Sequence, residues 1–135
     1  MLKIYLAGKY GDYKQIHEKM QALKKLGHFI TFDWTQNVEN RAQNPTTFDK
    51  AKSAADDIKG VRDCDLLIVL LTDPNYAYNG THTEFGAGLA LQKKIYVVCP
   101  PEASRFKQNV FLQSHGLEHF ESWEAVINQL TSLSQ

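Results

Sequence analysis

Two carboxylates in this sequence stand where they could do chemistry, and the stronger candidate is Glu84. It lies in Gly80-Thr81-His82-Thr83-Glu84-Phe85-Gly86, a polar turn bracketed by glycines that leads into helical periodicity. A carboxylate in the first turn of a helix can act as base or nucleophile, and the helix N-terminus favours its ionised form. The same spacing also matches a capping box, in which Thr81 and Glu84 each bond the other's backbone N–H. Both readings stay open at this point, since they share one electrostatic requirement. Asp57 is the second candidate. With an apolar stripe centred on Ile58 and about 100° per residue, Asp57 falls on the margin of the stripe, while Asp56 points into solvent. A margin position can reach a pocket rim; a solvated surface charge is the plainer alternative. Tyr5, near the end of the first apolar run, is either a core aromatic or a hydroxyl that orients a carboxylate.

Other residues suggest binding rather than chemistry. Gly8-Lys9-Tyr10-Gly11 separates an apolar run from a helical one. Backbone N–H groups at such a junction can hold an anion, and Lys9 beside it slightly favours a phosphate. The segment is neither GxGxxG nor a Walker A loop, so a turn serving only chain reversal accounts for it too. Asp33 and Trp34 follow the second apolar run and could form a base-stacking wall, or simply cover a sheet edge. There is no GxSxG elbow, the five histidines fall in no metal-ligand pattern, and Cys64 and Cys99 are isolated. The expectation is therefore neither a hydrolase triad nor a metal site, and two buried, reduced thiols.

The elements that must carry these residues follow from periodicity. Leu2–Ala7 reads as a buried strand, and Ile16, Met20, Leu23 and Leu26 recur at helical spacing up to Gly27. Phe29–Phe32 is a second strand, followed by a polar loop from Asp33 to about Pro45, with Thr46 or Thr47 capping the next helix. That helix carries Ala51, Ala54, Ala55, Ile58 and Val61 on one stripe and ends near Arg62. Asp65–Leu71 is an unbroken aliphatic run, hence a strand covered on both faces. A loop over Thr72–Gly80 leads to a helix from about His82 to Gln92, then to a strand Ile95–Cys99 that Pro100-Pro101 ends. A loop or short helix around Phe106–Leu112, a strand at Leu117–Phe120 and a helix from Ser122 to about Leu130 complete the chain.

Strands alternating with helices pair in parallel through crossover helices. The expected fold is one α/β domain over residues 1–135: a three-layer α/β/α sandwich, flavodoxin- or Rossmann-like, with a five-stranded parallel sheet of order 2-1-3-4-5. Ligands of such sheets bind at the carboxyl ends of the strands where the order reverses, here between strands 1 and 3. The loops at that point are Gly8–Tyr13 and Thr72–Thr83, which hold the densest sets of glycine, aromatic and polar residues.

Charge narrows the ligand. Lys+Arg number 15 and Asp+Glu 15, a net charge of zero, so nothing favours a nucleic-acid polymer or an anionic membrane. The longest strongly apolar stretch, Leu66–Leu71, is far below the roughly 20 residues of a membrane span. No secretory signal is visible in the opening residues, and a cytoplasmic protein is expected.

Three fragments together resemble one family. Lys3-Ile4-Tyr5-Leu6-Ala7-Gly8, then Asp57-Ile58-Lys59-Gly60 before Asp63-Cys64-Asp65-Leu66, then Gly80 to Ala90 followed by Lys93-Lys94-Ile95-Tyr96-Val97-Val98 occur in the order and spacing of the nucleoside 2-deoxyribosyltransferase superfamily. That family includes transferases that exchange the base of a 2′-deoxynucleoside, and N-glycosidases that release it from 2′-deoxynucleoside 5′-monophosphates. The resemblance implies a Glu84 nucleophile that forms a covalent deoxyribosyl-enzyme, Tyr5 positioning its carboxylate, and Asp57 contacting or protonating the departing base. It implies a small-molecule nucleoside or nucleotide as ligand, met by Tyr78, Asn79, Gly80 and Thr81, and no cofactor. Many transferases carry an acidic residue where this chain has Tyr78. A homo-oligomer is implied as well, with Asn109 the candidate for a residue lent to a neighbouring subunit. The alternative from another class is a non-catalytic nucleotide-binding or sensing module of the same fold.

Overall fold

The computed structural model describes residues 1–133. Five parallel strands form one sheet in the order β2-β1-β3-β4-β5. They are β1 (Lys3–Ala7), β2 (Phe29–Ile30), β3 (Leu66–Leu70), β4 (Lys94–Val98) and β5 (Leu117–Phe120). Successive strand side chains point to opposite faces, and both faces of the central strands are covered, so these strands are apolar without interruption. Tyr5, Ala7, Leu67, Val69, Ile95 and Val97 belong to one core cluster. Ile4, Leu6, Leu66, Ile68, Tyr96 and Val98 belong to the other. The second cluster is closed by Ile16, Met20 and Leu23 of α1 (Tyr13–Lys25) and by Val126 and Leu130 of α5 (Trp123–Leu133). Against the first cluster lie α3 (Lys50–Asp63) and α4 (Asn79–Ala90), so the layers are α/β/α as expected. At Gly88 a Cβ would come within 2.5 Å of Leu67 Cδ2, so a side chain there would have to displace that methyl group where α4 packs on β3.

Several boundaries differ from the sequence expectation, each for a local reason. β2 has two residues rather than four, because Asp33 accepts from Thr35 N and turns the chain into a tight helical turn at Trp34–Gln36. The expected polar loop contains α2 (Asn37–Gln43), which buries only Val38 and therefore carries no apolar period. The cap of α3 is Asp49, whose carboxylate accepts from Lys52 N at 2.9 Å, not Thr46 or Thr47. The alanine stripe of α3 is covered only in part: Gly60 and Val61 are buried, whereas Ala51, Ala54 and Ala55 are exposed. α4 begins at Asn79, three residues before the expected start, and β4 is shifted by one residue. The segment after β4 forms tight helical turns at Pro101–Gln108 and Val110–Gln113. No helix among the described residues is long and apolar enough to cross a membrane.

Candidate active site

The site is assembled on the face of the sheet that carries α3 and α4. Tyr5 is an odd-numbered residue of β1, so its side chain enters that layer, where it is fully buried. Gly60 of α3 lies against the ring: a Cβ there would come within 2.7 Å of Tyr5 Cδ2. Asp57 is three residues earlier, on the same face of the helix, and is thereby carried to the hydroxyl end of the ring. From α4, Glu84 meets the same hydroxyl, and Tyr5 Oη donates a short hydrogen bond to its Oε2. Asp57 Oδ1 is buried with no hydrogen-bond partner.

Burial dominates the electrostatics. It pushes the Glu84 carboxyl up to about 8; the Tyr5 hydroxyl pulls it down, and the charge of Asp57 adds to the rise. Burial also raises Asp57, to about 6, with the help of Asp56 and against the pull of the nearby Tyr5 hydroxyl. Burial, followed by both carboxylates, holds the Tyr5 phenol well above its usual value. Between the two carboxyl values the pair therefore holds one proton.

The capping box does not form. The residue preceding α4 is Tyr78, with φ 57° and ψ 38°, and no side chain caps the helix there. Thr81 instead donates its hydroxyl to the Gly8 carbonyl at 3.1 Å, tying α4 to the turn after β1, and Glu84 is taken by Tyr5. The left-handed conformation of Tyr78 is strained for a residue with a side chain. It is held by a buried ring in edge contact with Tyr76 and Phe106, and by its hydroxyl, which accepts from Thr72 N at 3.1 Å and Asp73 N at 2.9 Å. Arg105 secures the same loop by donating to the carbonyls of Pro74 and Tyr76.

These elements enclose a cavity of ≈ 770 Å³ at the β1/β3 switch point, within the range of small-molecule sites. Asp57 and Glu84 line it, together with Gly8, Tyr10, Trp34, Tyr78, Gly80 and Thr81 from the sequence-derived set. Tyr5 acts from beneath through Glu84. The remaining four are elsewhere. Lys9 turns away to an ion pair with Asp73 at 2.8 Å, over the ring of Tyr76. The Asp33 carboxylate is consumed by Thr35, Gln36 and His17, and only its neighbour Trp34, whose indole N–H donates to Leu6 O at 2.8 Å, faces the cavity. Asn79 is not on the wall. Asn109 caps the Val110–Gln113 turn by accepting from Phe111 N and borders a separate depression beside Phe85 and Leu89.

Sequence reasoning missed the opposite wall, formed by α2, the segment after it and the start of α3. Asn37, Arg41, Phe48, Lys50 and Ser53 line the cavity there, and Tyr76 does so from the loop after β3. One signal was present: Lys50, Ser53 and Asp57 are spaced three and four apart, which places all three on one helical face.

A doubly wound sheet with a buried carboxyl, a phenol bonded to it and a second carboxyl at its switch point defines a small-molecule site with acid, base and nucleophile capacity. The model of the family "Nucleoside 2-deoxyribosyltransferase" matches residues 4–126. The chain belongs to that family, whose enzymes are of glycosyltransferase or N-glycosidase type. Among solved structures, the Clostridium botulinum CMP N-glycosidase BcmB superposes with a TM-score of 0.63 over 98% of both chains at 18% sequence identity, a likeness of fold. No curated protein sequence matches the chain.

Proposed function

We propose that the protein cleaves or exchanges the N-glycosidic bond of a 2′-deoxynucleoside or its 5′-monophosphate through a covalent deoxyribosyl–Glu84 intermediate. The observation that carries this reading is Glu84 itself, a buried carboxyl on the cavity wall, held by Tyr5, with Asp57 on the same cavity. In the first step a Glu84 carboxylate oxygen bonds to the anomeric carbon as the carbon–nitrogen bond breaks. The electron pair leaves with the base, which takes the proton of Asp57. In the second step water, or another base, attacks the same carbon from the vacated side. Asp57 removes its proton, and the ester to Glu84 breaks. Two displacements retain the anomeric configuration, as in retaining glycosidases. Burial gives Glu84 the higher value, about 8 against about 6 for Asp57, so between them the resting proton sits on Glu84, and the cycle runs through the form in which that proton is on Asp57.

The test is a panel of deoxynucleosides and their monophosphates, with and without a free acceptor base, resolved by chromatography. Free base without acceptor indicates hydrolysis, and a new nucleoside indicates transfer. Glu84→Gln is expected to remove either product and to leave nucleoside binding. Turnover that survives Glu84→Gln in a folded protein overturns the nucleophile assignment. Absence of turnover by the wild-type protein on every substrate, with binding retained, identifies a binding module instead.

We propose further that the protein is a cytoplasmic homo-oligomer. Val110 and Phe111, beside Asn109, are 74% and 62% exposed, apolar surface that a second subunit would cover. Sedimentation of the purified protein as a monomer would remove that proposal.

A further inference from the structure

The wall that the sequence did not reveal carries hydrogen-bond donors without partners among the described residues. Arg41 lies near two rings, its guanidinium carbon 5.5 Å from the centroid of Tyr10 and 5.8 Å from that of Phe48. Contacts of this kind hold the guanidinium near aromatic faces without using its N–H groups. Neither Arg41 nor Lys50 pairs with a carboxylate among the described residues, whereas Lys9, the cation nearest the glycine turn, is already matched by Asp73. Lys50 and Ser53 share with Asp57 the face of α3 that lines the cavity, about 10 and 6 Å along the helix axis from it.

We infer that this wall reads the base, and that it selects bases whose far edge presents an exocyclic oxygen, such as hypoxanthine or uracil, over those that present an amino group there. The inference rests on the proposed role of Asp57 as the group that meets the departing base. If Asp57 is beside the glycosidic nitrogen, donors one and two turns farther along α3 face the opposite edge of the ring. Lysine and arginine donate only, so they satisfy a carbonyl oxygen and cannot satisfy an exocyclic amine. A carbonyl also takes up negative charge as the carbon–nitrogen bond breaks, so the same donors bind the base more strongly in the transition state than in the substrate. A phosphate is the competing occupant of two unpaired cations. The observations favour the base because Lys50 continues the Asp57 face of α3, whereas the turn after β1 and the start of α4 border the cavity from other elements.

The experiment compares base release from 2′-deoxyinosine and 2′-deoxyadenosine, from 2′-deoxyuridine and 2′-deoxycytidine, and from the monophosphates of all four. The expected result is a preference of about tenfold or more in kcat/KM for the oxo member of each pair. The ratio should fall toward one in Arg41→Met and Lys50→Met, with an intermediate value in Arg41→Lys. Equal rates within pairs, or an amino preference, overturn the inference while leaving the proposed function intact. An Arg41→Met variant that keeps the base ratio but loses a preference for monophosphates overturns it in favour of a phosphate site. Calorimetric titration with free hypoxanthine and free adenine tests the same wall without chemistry. Tighter binding of hypoxanthine, abolished in Arg41→Met, supports it even if no nucleoside is turned over; equal binding overturns it.

Discussion

Removing one oxygen atom, in Tyr5→Phe, tests how the site manages its proton. The hydroxyl donates to Glu84 and lowers the carboxyl values of both Glu84 and Asp57. The productive form carries one proton on the pair, so kcat/KM should follow a bell with limbs near the two values, about 6 and about 8. A hydrogen bond to a charged group contributes about 1.5–3 kcal/mol, and one unit of pKa corresponds to about 1.4 kcal/mol. One hydroxyl proton serves one carboxylate at a time, so its loss should raise the lower limb, the first ionisation of the pair, by about one to two units and leave the upper limb nearly in place. At pH 6 the singly protonated fraction falls about fivefold for a one-unit shift and about fiftyfold for two; at pH 9 it is nearly unchanged. The ratio of variant to wild-type activity should thus climb with pH. The assay is initial-rate base release from pH 5 to 10, with circular dichroism at each pH to confirm folding. A uniform loss at every pH would refute the reasoning: the hydroxyl would then only aim Glu84 and would not set the proton balance.

Glu84→Gln should stabilise the protein as it removes activity. The carboxyl is raised from 4.5 to about 8 on folding, so its stabilising effect is fully present below pH 4.5 and is lost as pH rises through about 8. At pH 7 the neutral amide should recover about 1–3 kcal/mol, seen as a melting temperature several degrees higher, with the gain shrinking toward pH 4. Gly60→Ala should cost about 1–3 kcal/mol, because the new methyl group meets the Tyr5 ring at 2.7 Å and the backbone of α3 must shift. The same shift moves Asp57 and should lower kcat/KM by about a hundredfold; an unchanged melting curve and rate would show that the ring contact does not seat Asp57. Lys9→Met should leave the ratio of monophosphate to nucleoside turnover unchanged, since its ammonium is committed to Asp73. A selective loss of monophosphate turnover would return Lys9 to the phosphate role that its place in the sequence suggests.

The fold was legible where burial imposes a period. The aliphatic run before Leu71, the strand opening at Lys3 and the helix through Ile16, Met20 and Leu23 all announce the faces they bury; their alternation suits order 2-1-3-4-5 without fixing it, and that order is the one observed. The carboxyl pair was legible in part, because Glu84 and Asp57 sit at element ends or margins that topology directs to the switch point. What escaped was the exposed wall. α2 buries only Val38, and Arg41 and Lys50 are solvent-facing residues whose significance lies in the cavity between elements rather than in any periodicity. Thr81 and Glu84 misled for a related reason: a capping box and a site share the same residue types. Only the approach of Tyr5 and Gly8 to α4 decides which bonds those side chains make.

The features that weaken local rules converge on this one cavity. Glu84 is a carboxyl deprived of water, Asp57 has a buried oxygen without a partner, and Tyr78 holds a left-handed backbone at the mouth of α4. Each opposes folding, and each is fixed by a neighbour that the core positions independently: the ring of Tyr5 against Gly60, or the Tyr78 phenol under the backbone of Thr72 and Asp73. The Tyr78 hydroxyl accepts from the loop backbone, so at the position where many transferases offer an acid this chain directs its acceptor to the loop. A protein with no net charge still holds a polar cavity, because its core fixes two carboxyls on the wall while its surface adds two cations, Arg41 and Lys50, that pair with no carboxylate among the described residues.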